Sequence, residues 1–109
     1  MLRSIKEMLD YKILATDGEI GHVSDILLAD SDLKVRYLVI DTGSWLSGRT
    51  VLLSTAWLSS VAPEKRLIVV NMEKKRIEES PLYETGADIP REYETRLHDY
   101  YGFPYYWHQ

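Results

Sequence analysis

Gly43-Ser44-Trp45-Leu46-Ser47-Gly48-Arg49-Thr50 is one residue away from the phosphate-loop pattern G-x-x-x-x-G-K-[ST], in which backbone amides and a lysine cradle phosphates. That chemistry needs a helix directly after the loop, because the helix's N-terminal amides and dipole hold the anion. Val51-Leu52-Leu53 reads as a strand instead, Trp45 and Leu46 stand where backbone must approach a ligand, and Arg49 replaces the lysine. The segment therefore reads as a glycine-punctuated connection between two strands.

The three histidines, His22, His98 and His108, fall on a strand, a helix and the tail, with no H-E-x-x-H or close pair that would bring two imidazoles onto one metal. They read as solvated polar residues. His22 and Asp25 are three apart on a strand and point to opposite faces unless a bulge intervenes. His98 follows Leu97 on a C-terminal helix and is expected off its buried stripe. No G-x-S-x-G elbow is present, and Ser54, Ser59 and Ser60 have no evident base. Asp30 with Asp32 suits a turn; Glu78 and Glu79 follow Lys74, Lys75 and Arg76 on a solvated helix face. No catalytic residue, cofactor or metal ligand is assigned, and the chain is expected not to be an enzyme.

The elements that would carry these residues are short. Ser4 and Glu7 form a capping box, and Leu2, Ile5, Met8 and Leu9 recur at helical spacing, which predicts a helix over the first ten residues. A strand follows from Lys12 to about Thr16, Asp17-Gly18 turns the chain, and a longer strand runs from Ile20 to Ala29. Gly21 inside it marks a bulge or sharp bend of a strand curling around a small barrel. After a turn at Asp30-Ser31-Asp32 come strands at Val35 to Ile40, Thr50 to Leu53, Leu58 to Val61 and Arg66 to Val70. With no helices between the strands, parallel βαβ construction is disfavoured. Met72 to Glu79 reads as a short charged helix stopped by Pro81. A last helix opens at Pro90, buries Tyr93, Leu97, Tyr100 and Tyr101 at i, i+4, i+7, i+8, and stops at Gly102 and Pro104.

At 109 residues, 45% hydrophobic and 28% charged, the chain has the size and composition of one ordinary globular domain. A net charge of -4, from 13 basic and 17 acidic residues, offers no footprint for nucleic acid or an anionic membrane, so neither is expected as a partner. Apolar runs such as Tyr37 to Ile40 fall far below the roughly 20 residues of a membrane span. The N-terminus lacks the apolar core of a secretory signal, and the absence of cysteine excludes disulfides; a cytoplasmic location is the expectation.

An apolar excess remains. Val35, Tyr37 and Val39 line one face of the third strand and Leu38 and Ile40 the other, and the pattern recurs at Val51 to Leu53 and Leu67 to Val70. A barrel interior takes one face. Burying a large apolar side chain is worth about 1.5–3 kcal/mol, so the outer stripe must be covered by the chain's own C-terminus or by a second molecule. Seven of the twelve aromatics fall in the last seventeen residues, enough to serve either purpose. They complete this domain's core, or Tyr105, Tyr106 and Trp107, with Trp45, Leu46 and Arg49 of the loop, anchor a partner.

Three blocks in order, Ala15-Thr16-Asp17-Gly18-Glu19-Ile20-Gly21-His22-Val23, Val35 through Gly43, and Trp45-Leu46-Ser47-Gly48-Arg49 with Val51-Leu52-Leu53, closely resemble the PRC-barrel family. Pro90-Arg91-Glu92-Tyr93-Glu94 and Tyr100-Tyr101-Gly102 are similar to the ending of its stand-alone bacterial members. The family includes the cytoplasmic domain of the photosynthetic reaction centre H subunit and the C-terminal domain of the maturation factor RimM. The resemblance implies a mainly β fold, a small, strongly curved six-stranded β-barrel with short N- and C-terminal helices. It implies one domain over residues 1–109, the barrel at about 11–72 and a helical extension with aromatic tail at about 73–109. It also implies a docking platform with no shared catalytic residues, and together with the doubled apolar faces it leads to the expectation of a non-catalytic adaptor or scaffold that docks onto another protein and self-associates as a homodimer. The alternatives are a small-molecule or metal binder, from the glycine-flanked loop and His22, and an RNA- or ribosome-associated assembly factor.

Overall fold

Alternating apolar runs broken by turn residues fold into six strands: β1 (Lys12–Ala15), β2 (Gly18–Leu28), β3 (Val35–Asp41), β4 (Thr50–Ser54), β5 (Leu58–Ala62) and β6 (Leu67–Val70). Among the described residues two α-helices follow, α1 (Lys74–Glu78) and α2 (Arg91–Tyr101). The computed structural model describes residues 8–29, 33–43, 46, 49–83 and 89–108. The helix expected over the first ten residues rests on residues 1–7, and the Asp30–Asp32 turn likewise lies outside the described residues. The strands form one strongly curved half-barrel sheet in the order β4-β3-β2-β1-β6-β5. Its two ends, β4 and β5, are joined by a 3-10 turn at Thr55–Trp57. All pairings are antiparallel except β1 with β6, where Ile13 faces Ile68 in parallel register. Only strands far apart in sequence supply that parallel pair, so no βαβ crossover is involved.

Curvature comes from bulges. The β1–β2 register slips between Ile13 and Leu14, beside Gly21, and β2–β3 slips between Val23 and Asp25 and again between Leu27 and Leu28. Each extra residue bends and twists the strand that carries it. Gly21 sits at φ +148°, and a Cβ there would lie 2.0 Å from the Asp41 carbonyl oxygen. The bend expected at this glycine is thus a close approach of β2 to the end of β3.

Tyr37, Leu38, Val39 and Ile40 are all buried, as are Val51, Leu52 and Leu53 on β4. Both faces of β3 and β4 are covered, and α2 supplies part of the second cover: its Tyr93, Leu97 and Tyr101 join the same core cluster as β3, β4 and β6. The remaining fastening comes from the segment before α2. Tyr83 bridges to Thr50 at the edge of β4, the Thr50 hydroxyl donates to the Tyr83 carbonyl at 2.7 Å, and Tyr93 Oη donates to the Pro81 carbonyl at 2.8 Å. α1 is shorter than expected; the Asp17 carboxylate accepts from its first amide, Lys74 N, at 2.9 Å, and Ile77 is its buried anchor.

Candidate functional site

Three ionisable residues that meet one another lie inward. Tyr37 projects from β3 under α2, where Glu94 and His98 stand one turn apart, an i, i+4 pair that shares a helix face. The three are only 3%, 6% and 2% exposed. Tyr37 Oη donates to Glu94 Oε1 at 2.9 Å and lies 3.0 Å from His98 Nε2. His98 Nδ1 is 2.9 Å from the Pro104 carbonyl. A carbonyl only accepts, so Nδ1 carries a proton. Glu94 Oε1 also accepts from Tyr106 Oη at 2.6 Å, and Arg91 Nε lies 3.4 Å from Oε2.

Gly102 positions the tail. It takes the left-handed conformation at φ +74° and ends α2, its amide bonding to the His98 and Asp99 carbonyls, after which the chain folds back over the helix. Tyr105 stacks on Trp107 at 4.8 Å, Arg91 lies 4.0 Å above the Trp107 ring, and Arg36 lies 4.2 Å above Tyr106. Tyr105 Oη donates to Asp99 Oδ1. Trp57 closes the other side, 5.1 Å from the His98 ring and stacked on Phe103 at 5.4 Å. Burial first, then its bond to Glu94 and that carboxylate's charge, push the Tyr106 phenol up to about 12 against the pull of Arg91 and Arg36. Burial raises Tyr37 further, with Glu94 adding to it. Burial lowers His98, and Arg91 reinforces it, while the Pro104 bond, Glu94 and Asp99 pull the other way. Tyr37 has a single hydroxyl proton, so it closes either the bond to Glu94 or the one to an unprotonated Nε2, and a proton on Nε2 would close the second.

His98 corrects the sequence reading. It was expected off the buried stripe and solvated; it is instead part of that stripe, which is wide enough to hold Tyr93, Glu94, Leu97, His98 and Tyr101. Tyr100 is only half-buried, its hydroxyl donating to the Arg76 carbonyl. The missed signal was Glu94 and His98 adjoining Tyr93 and Leu97 on the same face. His22 pairs with Asp41, at 4.0 Å, on the rim of an open groove shared with Asp10 and Lys12, and a bulge does separate it from Asp25. Among the described residues no group of three or more His, Asp or Glu is placed to hold a metal ion.

The glycine-flanked loop leads into strand β4, not into a helix. Trp45 lies outside the described residues. Leu46 is buried in the core, its carbonyl accepting from Arg49 N at 3.0 Å, while Arg49 is exposed and its own carbonyl accepts from Thr42 Oγ1 at 2.6 Å. Tyr105, Tyr106 and Trp107 are half-buried together on α2, far in sequence from the loop. Among the described residues no helix is long and apolar enough to cross a membrane.

A curved half-barrel of six short strands, with a helix and an aromatic tail over β3 and a polar cluster turned inward, defines a small barrel domain. The chain belongs to the PRC-barrel family: the sequence model of the PRC-barrel domain matches residues 2–76. Such domains are generally non-catalytic and suit a protein-interaction role. Comparison with curated proteins gives no match. Among solved structures the chain resembles a 16S ribosomal RNA processing protein, RimM, from Pseudomonas aeruginosa, with a TM-score of 0.53 at 13% identity, over 67% of this chain and 45% of that one. The chain thus spans less than half of that neighbour, and the likeness is one of fold.

That neighbour also corrects the exclusion of nucleic acid drawn from net charge. A chain with this fold is named for ribosomal RNA processing. The charge of one module says little about an assembly in which other parts meet the phosphates, so an acidic balance is no ground for setting nucleic acid aside.

Proposed function

We propose that this chain is a non-catalytic interaction module, one domain over residues 1–109, that works in the cytoplasm as an adaptor or scaffold docking onto another protein and pairs with a second copy of itself. The observation that carries this reading is the PRC-barrel match over residues 2–76. The inward cluster supports it: Tyr37, Glu94 and His98 bond to each other and to the tail, an arrangement suited to holding a wall in place. The partner residues we propose are Arg49, exposed in the β3–β4 loop, with Trp45 of the same loop, and the half-buried Tyr105, Tyr106 and Trp107 of the tail. Leu46 serves from inside, anchoring the loop in the core.

A second reading places the module within a ribosome-associated assembly, and the RimM likeness favours it. One experiment separates the two. Tagged protein is crosslinked in its native cell and recovered beside Arg49→Glu, with the variant's melting curve matched to the parent. A discrete protein recovered only by the parent supports the adaptor reading; ribosomal RNA recovered with it in a salt-sensitive way supports the second. Recovery of the same proteins by both chains would remove Arg49 from the surface, and recovery of neither protein nor RNA would count against both.

A further inference from the structure

The two ends of the half-barrel sheet differ. Beside β4, Tyr83 bridges to Thr50, and Val51 through Ser54 are buried. The β5 end is open. Its Ser59, Ser60 and Val61 are exposed, Val61 to 41%, and among the described residues β6 is its only paired strand. Alternate residues of an antiparallel strand turn their N–H and C=O away from the neighbour they pair with, so β5 carries backbone donors and acceptors on its outer side. We infer that β5 pairs along this edge, antiparallel and about a two-fold axis, with β5 of a second copy of the chain.

Charge and symmetry identify the occupant. Free sheet edges are ordinarily kept apart by a lysine, another charge or a proline within the strand. Leu58-Ser59-Ser60-Val61-Ala62 carries none of these. An uncharged edge has nothing with which to select a charged peptide, and nothing in it repels its own copy. A two-fold pairing centred on Ser60 sets that serine against itself, Ser59 against Val61 and Leu58 against Ala62, with the two valines as diagonal neighbours on one face. The exposed Val61 thereby gains an apolar contact. The bulge in β5 lies between Leu58 and Ser60, so Ser60, Val61 and Ala62 stay in regular register with Val69, Ile68 and Leu67 and present a straight edge. Five residues make a small interface, and the pair is accordingly reversible. This inference rests on the self-association proposed above and assigns it residues other than those of the loop and tail.

The test is the mass of the whole chain by sedimentation, from about 1 µM to about 500 µM, beside Val61→Lys, with melting curves recorded for both. The parent is expected to pass from monomer to dimer across the series. Val61→Lys should weaken the pairing at least about tenfold, because it sets two lysines across the axis. The chain has no cysteine, so Ser60→Cys introduces a single thiol whose disulfide can join only two copies. Under mild oxidation Ser60→Cys should be trapped as a covalent dimer well before Arg49→Cys, which carries its thiol on the β3–β4 loop. A dimer left unchanged by Val61→Lys, or a Ser60→Cys chain that crosslinks no faster than Arg49→Cys, overturns the edge pairing while the self-association reading stands. A parent that stays monomeric at every concentration overturns both and leaves the edge to a strand from another protein. Should Val61→Lys not fold, the comparison of Ser60→Cys with Arg49→Cys decides alone.

Discussion

Gly21 illustrates how much one missing Cβ can decide. Its φ of +148° and the 2.0 Å that would separate a Cβ from the Asp41 carbonyl oxygen leave room for hydrogen alone. Gly21→Ala is expected to cost about 3 kcal/mol or more, lowering the melting midpoint by at least about 10 °C in a thermal scan. Glu94 is the second such residue. Replacing it with alanine leaves the Tyr37 and Tyr106 hydroxyls and Arg91 without their shared acceptor, for a loss of about 2–4 kcal/mol in urea unfolding; Glu94→Gln keeps an oxygen and should lose about half as much. The tyrosines set a limit at alkaline pH. Tyr106 and Tyr101 are both raised by burial from 10.0 to about 12, and Tyr37 and Tyr93 shift the same way, so the folded chain resists ionisation that the unfolded chain undergoes. The stability they contribute is complete below pH 10.0 and declines as pH rises towards about 12, which a series of unfolding curves at rising pH will register.

At the scale of elements, periodicity was a sound guide where one rule acted alone. Strand alternation, the Asp17-Gly18 turn, the bend at Gly21 and the Gly102 stop are local features, and all six strands lie where these predict. The doubled apolar faces of β3 and β4 correctly announced a second cover. What covers them could not be read, because Tyr37 meets Glu94 and His98 across more than fifty residues of chain. A polar residue next to a buried stripe reads as solvated until its partner strand is known, and this is how His98 was misplaced. The parallel β1–β6 pair was hidden for the same reason: each strand's own sequence carries no record of a neighbour so distant.

At the scale of the whole molecule, the family match ends at residue 76, yet Tyr93, Leu97 and Tyr101 lie in the same core cluster as the strands. The central claim is that α2 and its tail are a wall of the barrel and not an appendage to it, which is what leaves the β3–β4 loop as the proposed contact surface. Each of those three side chains is worth about 1.5–3 kcal/mol of burial, comparable in sum to the stability of a small domain. The most direct test is a chain ending at Ile89, compared with the full chain by thermal melting and by binding of a dye that reports exposed apolar surface. Loss of the cooperative melt together with dye binding is the predicted result; an unchanged melting midpoint without dye binding would show that the barrel stands without α2, and would contradict the account.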